Sequence, residues 1–122
     1  MSVGNPYDEV LSLISRERDW AKAIRLIEQL GLDLETFIVY YDLRKRGKKV
    51  TIGPRPRTLI YSLGPGRAAE VLILSEGTYV KPMDIVAWSE RAVADAHEPV
   101  VAIVDETGGV TYYEARVIRG LA

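Results

Sequence analysis

"HEPVVAIVDETGGVTYYE", residues 97–114, decides how this chain is to be read. Val100 to Val104 is unbroken apolar sequence, Asp105 to Gly109 is turn chemistry, and Val110 to Glu114 is again rich in β-branched and aromatic residues. An apolar run of that length bounded by turn signals predicts a strand covered on both faces. Gly108-Gly109 supplies the turn of a hairpin. The greasy hairpin thus ends in a charged tip, Asp105-Glu106, which on a tight turn ordinarily faces solvent.

Upstream, "EVLILS" (70–75) is a second strand of the doubly buried kind, with Gly64-Pro65-Gly66 marking a loop before it. Pro82 opens a helix whose inner face holds Ile85, Trp88, Ala92 and Ala96. "KVTIG" and "TLIYS" are short strands joined by Gly53-Pro54-Arg55-Pro56. Before Gly47 the pattern is helical throughout. Asn5-Pro6 caps a helix with Tyr7, Val10, Leu11 and Ile14 on one face. Asp19 precedes a second helix whose face is Trp20, Ala23, Ile24, Ile27 and Leu30, ended by Gly31. Asp33 caps a third, with Leu34, Phe37, Ile38 and Tyr41 inward. The expected architecture is α/β: a small helical N-terminal part, residues 1–47, whose third helix leads into an α/β domain with a mixed central sheet, residues 48–122.

Composition narrows the chemistry. A chain of 122 residues with 48% hydrophobic and 27% charged content is an ordinary globular domain, and it has no cysteine, which excludes disulfides and thiolate metal sites. No apolar run approaches the roughly 18 residues of a membrane span. "MSVGNPYDEV" lacks the pattern of a signal peptide, so a cytoplasmic location is expected. There is no dinucleotide fingerprint, P-loop or zincin motif. His97 is the one histidine, which excludes multi-histidine metal sites, and no cofactor or metal is expected.

The net charge of −1 conceals a segregation. From Leu43 to Ala69 there is no acid, yet Arg44, Lys45, Arg46, Lys48, Lys49, Arg55, Arg57 and Arg67, eight of 16 bases, fall there. Such a patch attracts polyanions by counterion release. The alternative is a solvated helix end, since bases favour a last helical turn; that accounts for Arg44 to Arg46 better than for Arg55 to Arg67.

In order, "YYDLRKRGKKVTIG", "TLIYS" and "VVAIVDETGGVTYYEARVI" resemble the C-terminal domain of the archaeal tRNA-intron splicing endonucleases, over roughly residues 37 to 118. The resemblance implies an endonuclease-like α/β domain. It also implies metal-free cleavage of precursor tRNA at a bulge–helix–bulge, leaving 2′,3′-cyclic phosphate and 5′-hydroxyl ends. That family uses a tyrosine, a histidine and a lysine. Tyr61 falls at the tyrosine position. The histidine position, near Arg67 or Ala68, has no histidine, and the lysine position, before "VVAIVD", reads His97-Glu98-Pro99. The resemblance therefore implies a non-catalytic structural subunit, partnered by a catalytic chain in a heterotetramer that binds precursor tRNA. It assigns the tip residues Asp105 and Glu106 to a neighbour's basic cleft. It assigns Tyr112, Tyr113 and Val117, on the last strand, to subunit pairing. The basic stretch from Arg44 to Arg67 would face tRNA or a partner's acidic loop. Two alternatives stand beside this one: a catalytically competent member of the family, and a stand-alone RNA-binding module of the same fold.

Overall fold

Asn5 opens α1 (Pro6–Glu17) by accepting a hydrogen bond from the Tyr7 N–H at 2.8 Å, with Asp8 and Glu9 at the positive end of the helix dipole. This computed structural model describes residues 5–115. Asp19 caps α2 (Trp20–Gln29), and Asp33 caps α3 (Leu34–Lys45) through both the backbone N–H and the hydroxyl of Thr36, at 2.9 and 2.7 Å. α3 stops where Gly47, at φ +81°, takes a left-handed conformation that suits glycine. The chain then enters β1 (Val50–Ile52), β2 (Thr58–Gly64), β3 (Arg67–Ser75), α4 (Pro82–Ala94), β4 (His97–Val104) and β5 (Val110–Glu114).

The five strands form one mixed sheet in the order β1-β2-β3-β4-β5. Only β3 and β4 run parallel, and α4 is the crossover that parallel pairing demands. The expected α/β architecture, helices first and mixed sheet second, is the one observed. Because side chains alternate across a sheet, each strand serves two layers. Leu59, Tyr61, Ala69, Val71, Ile73, Val100, Ala102 and Val104 join Phe37 and Tyr40 of α3 and Val10 of α1 in the main core. On the other face, Leu72, Leu74, Val101 and Ile103 lie against Ile85, Trp88 and Ala92 of α4. That is why β3 and β4 read as apolar runs. Each fully buried Val, Leu, Ile or Phe side chain among these contributes about 1.5–3 kcal/mol before chain entropy is counted.

Two helical faces differ from expectation. On α2 only Ala23 and Ile27 are buried; Trp20, Ile24 and Leu30 are 43%, 38% and 39% exposed. α2 packs chiefly against α1, and Trp20 meets α3 only edge-on, 6.3 and 5.2 Å from the ring centroids of Phe37 and Tyr41, so half of its apolar face is only partly covered. On α3 the buried set is Thr36, Phe37, Val39, Tyr40 and Leu43, while Leu34 is exposed. α3 lies between α1 and the sheet, touching both, so its flanks are covered as well as its centre. Ala96, expected on the inner face of the fourth helix, is instead an exposed residue at φ +63° in the turn to β4. Among the described residues no helix is long and apolar enough to cross a membrane.

Candidate functional site

Sheet register brings the family positions together. Ala68 pairs with His97 and Ala69 with Glu98 across β3 and β4, while Tyr61 pairs with Ala69 across β2 and β3. Tyr61, Ala69 and Glu98 therefore share one row and one face, and Arg67, two residues before Ala69, points the same way. These residues edge a cleft of about 340 Å³ at one end of the sheet, completed by Pro99, Tyr112 and Glu114.

Arg67 edges that cleft with a bidentate ion pair. Its Nε donates to Glu98 Oε2 and its Nη2 to Glu98 Oε1, both at 2.9 Å. The guanidinium holds the Glu98 carboxyl below the usual carboxylate range. Tyr61 is only 9% exposed, and burial first, then the charges of Glu98 and Glu114, push its phenol above the ordinary tyrosine range. The cleft thus offers a phenol that resists deprotonation and a cation already matched by a carboxylate.

His97 is turned away from the cleft. It lies on the opposite sheet face, where its Nδ1 is 3.0 Å from Glu70 Oε1. Glu70 is fully buried and also accepts from Arg55 Nη1, at 2.7 and 2.8 Å, and from Trp88 Nε1, at 2.8 Å. Arg55 Nη2 continues to Asp95 at 2.6 Å. Glu70, Asp95 and His97 are close enough together to hold a metal ion by spacing. The Arg55 guanidinium, bonded to both carboxylates, already supplies the positive charge there.

The other bases of the 44–67 stretch are dispersed. Arg44 bonds Asp8 at 3.1 Å, Arg46 bonds Asp42 at 2.9 Å and Arg57 bonds Glu35 at 3.0 Å. Lys45 sits over the Tyr41 ring, 5.2 Å from its centroid. Lys48 and Lys49 form the turn between α3 and β1.

No family model matches the chain. Two curated relatives do, both named tRNA-splicing endonuclease. The protein of Thermococcus gammatolerans is 33% identical over 87 residues, which cover 68% of this chain and 52% of that protein. The protein of Thermococcus kodakarensis is 32% identical over 87 residues, with the same coverage. This chain belongs to the tRNA-splicing endonuclease family. It spans about half the length of the curated relatives it matches.

The hairpin of this family member has a tip with two distinct acids. Asp105 Oδ1 accepts from the Thr107 N–H, the Thr107 hydroxyl and the Gly109 N–H at 2.9, 2.7 and 2.8 Å. Those bonds hold its carboxyl below the usual range, the Thr107 hydroxyl being the largest cause. A Cβ at Gly109 would lie 2.6 Å from Asp105 Oδ2, so the turn closes tightly on the carboxylate. Asp105 builds the turn, and Glu106, exposed, carries charge outward. Tyr112 donates its hydroxyl to Asp42 at 2.7 Å, tying β5 to α3, whereas Tyr113 is 53% exposed on the other face. Val117 lies outside the described residues.

The Glu70 network was missed from sequence, although it left a signal: a carboxylate inside the apolar run "AAEVLIL" must find donors if the strand is buried. The buried tyrosines carry a measurable consequence. Burial and then the bond to Asp8 push Tyr40 up to about 12, and burial also raises Tyr61 and Tyr112. Phenols of the unfolded chain ionise near pH 10. Above that pH the folded state binds more protons than the unfolded one, so stability is fully present below it and falls as pH rises through the folded values. Urea midpoints at about pH 8 and about pH 11 should therefore differ, the second being lower; equal midpoints would contradict the buried phenols.

Proposed function

We propose that this chain is the structural subunit of a heterotetrameric tRNA-splicing endonuclease, working with a separate catalytic chain to remove introns from precursor tRNA. The observation that carries this reading is the Tyr61 cleft. Attack of a ribose 2′-hydroxyl on the adjacent phosphate needs a base for the hydroxyl, an acid for the leaving oxygen and a cation for the developing charge. Here Tyr61 is nearly buried, the positive charge of Arg67 is matched by Glu98, and His97 is bonded to Glu70 on the far side of the sheet. A phosphate entering the cleft would meet no unmatched cation there. Kinship with two proteins named tRNA-splicing endonuclease supports the reaction class.

In this reading Glu106 is the outward charge of an anchoring tip, set in a neighbour's basic cleft, where charge complementarity fixes register and partner more than raw affinity. Among the described residues β5 is an edge strand, and with Tyr113 exposed it suits pairing with another subunit. Of the 44–67 bases, Lys48 and Lys49, which no acid of the described residues pairs, face tRNA or a partner's acidic loop.

Reconstitution tests the proposal. The purified chain should leave a bulge–helix–bulge RNA uncut, with or without magnesium, and a mixture with the catalytic chain should cut it to 2′,3′-cyclic phosphate and 5′-hydroxyl ends. Tyr61→Phe in this chain should change the rate of the complex by no more than about twofold, since a general base would be worth about 10²–10⁴. Specific cleavage by the isolated chain, or a large loss from Tyr61→Phe in an intact complex, would overturn it.

A further inference from the structure

Lys48 and Lys49 stand apart from the arginines of the stretch and from Lys45, which sits over the Tyr41 ring. Among the described residues neither ammonium takes part in an ion pair or hydrogen bond, whereas Arg44, Arg46, Arg55, Arg57 and Arg67 are each bonded to a carboxylate of this chain. The two lysines edge a concavity of about 380 Å³ that also includes Arg44, Gly47 and Thr51 and contains no acid. Lys49 and Thr51 edge a second concavity as well, of about 530 Å³, which runs over Ile60 and Ser62 to Gly64, Gly66 and His97. Its one acid, Asp95, is 2.6 Å from Arg55. Thr51 pairs with Ile60 in the sheet, so Thr51, Ile60 and Ser62 lie near the face opposite Tyr61, and Arg67, which edges this concavity as well as the Tyr61 cleft, is bonded to Glu98.

We infer that these two concavities form one groove that tracks the phosphodiester backbone of a single RNA strand, entering at Lys48 and Lys49 and leaving past the β2–β3 turn. The inference rests on the splicing-endonuclease reading for its ligand class, and it assigns the contact to a surface away from the Tyr61 cleft. The ammonium groups supply charge for phosphates, and the hydroxyls of Thr51 and Ser62 offer hydrogen bonds to phosphate and ribose oxygens. At Gly64 and Gly66 the space a Cβ would occupy is open, so a strand can approach the backbone closely. No Phe, Tyr or Trp ring lines either concavity, and the His97 imidazole is bonded to Glu70, so the groove offers no free stacking platform and binding is indifferent to sequence. An acidic protein loop presents its charge at one or two points, whereas this groove continues beyond the lysines over hydroxyls and open backbone, as a repeating polyanion requires.

The test uses the full chain, a labelled unstructured RNA of about 15 nucleotides and fluorescence anisotropy over a salt series. Lys48→Ala with Lys49→Ala should weaken binding about tenfold and lower the slope of log affinity against log salt by about 1.4, two phosphates' worth on a single strand. Ser62→Tyr, which fills the groove without changing charge, should weaken binding several-fold and leave the slope alone. Arg25→Ala, at an exposed position on α2, should bind as the parent does. Absence of RNA binding by the parent chain would overturn the inference. So would lysine variants of unchanged affinity and slope, or lysine variants that lose only their capture of the catalytic chain. A complex that cleaves normally while the groove variants bind RNA unchanged removes the groove and spares the subunit reading. RNA binding through the groove by a chain that supports no cleavage with its partner does the reverse.

Discussion

Replacing Glu70 by leucine is expected to destabilise the folded chain by about 3–5 kcal/mol, the cost of removing one partner from a buried charge pair. For a domain of this size that lowers Tm by about 10 °C or more. Glu70 is fully buried on β3 beneath α4 and accepts from Arg55 on the β1–β2 loop and Trp88 on α4, with His97 on β4 in contact. Without it, the indole N–H of Trp88, itself 3% exposed, has no acceptor, and Arg55 keeps only Asp95 among the carboxylates it bonds. A buried unpaired donor alone costs about 1–3 kcal/mol. Adding Arg55→Met should recover part of the loss, because a carboxylate and its guanidinium removed together leave fewer orphaned charges than either removed alone. Urea unfolding of the two variants measures this. A Glu70→Leu chain melting within about 2 °C of the parent would mean the network contributes little.

Glu106→Lys is expected to leave the subunit folded and to abolish assembly with the catalytic chain. Asp105→Ala is expected to loosen the hairpin itself. The two neighbouring acids separate because their surroundings differ. Glu106 is exposed, whereas Asp105 anchors three hydrogen bonds inside its own turn. If the tip is the anchor proposed above, reversing Glu106 would set like charges together in the neighbour's basic cleft, a repulsion that costs several kcal/mol. Gel filtration of the mixed chains reads the first outcome, and amide hydrogen exchange in β4 and β5 reads the second. A complex of native size with Glu106→Lys at moderate salt would remove the anchoring role. Unchanged exchange in Asp105→Ala would show that the turn forms without that carboxylate.

The contrast between those two acids marks the reach of sequence reading. Adjacent acids on a two-glycine turn look alike in one dimension, and only the closed loop shows which one turns inward. The basic stretch behaves in the same way. Its eight bases are contiguous in composition, but the fold sends Arg55 beneath α4, Arg57 toward α3 and Arg67 to Glu98, each to an acid distant in the chain. Ion pairing is a contact of tertiary structure, so a charge count along the chain cannot anticipate it.

What the sequence determined by itself was whatever depends on local physics: the caps Asn5, Asp19 and Asp33, the left-handed stop at Gly47, the two doubly covered strands and the hairpin at Gly108-Gly109. Family kinship was legible too, because "DLRKRG" and "AIVDETGGVTYYE" are contiguous motifs. Tertiary structure decided the rest. The period of a helix shows which residues share a face but not how many neighbours cover it, so the half-covered α2 and the flank-buried α3 emerged only when the layers came together. The alternation of a strand likewise separates two faces without naming them. Only the β3–β4 register puts Glu98 beside Tyr61's row and sends His97, one residue earlier, to the opposite side with Glu70.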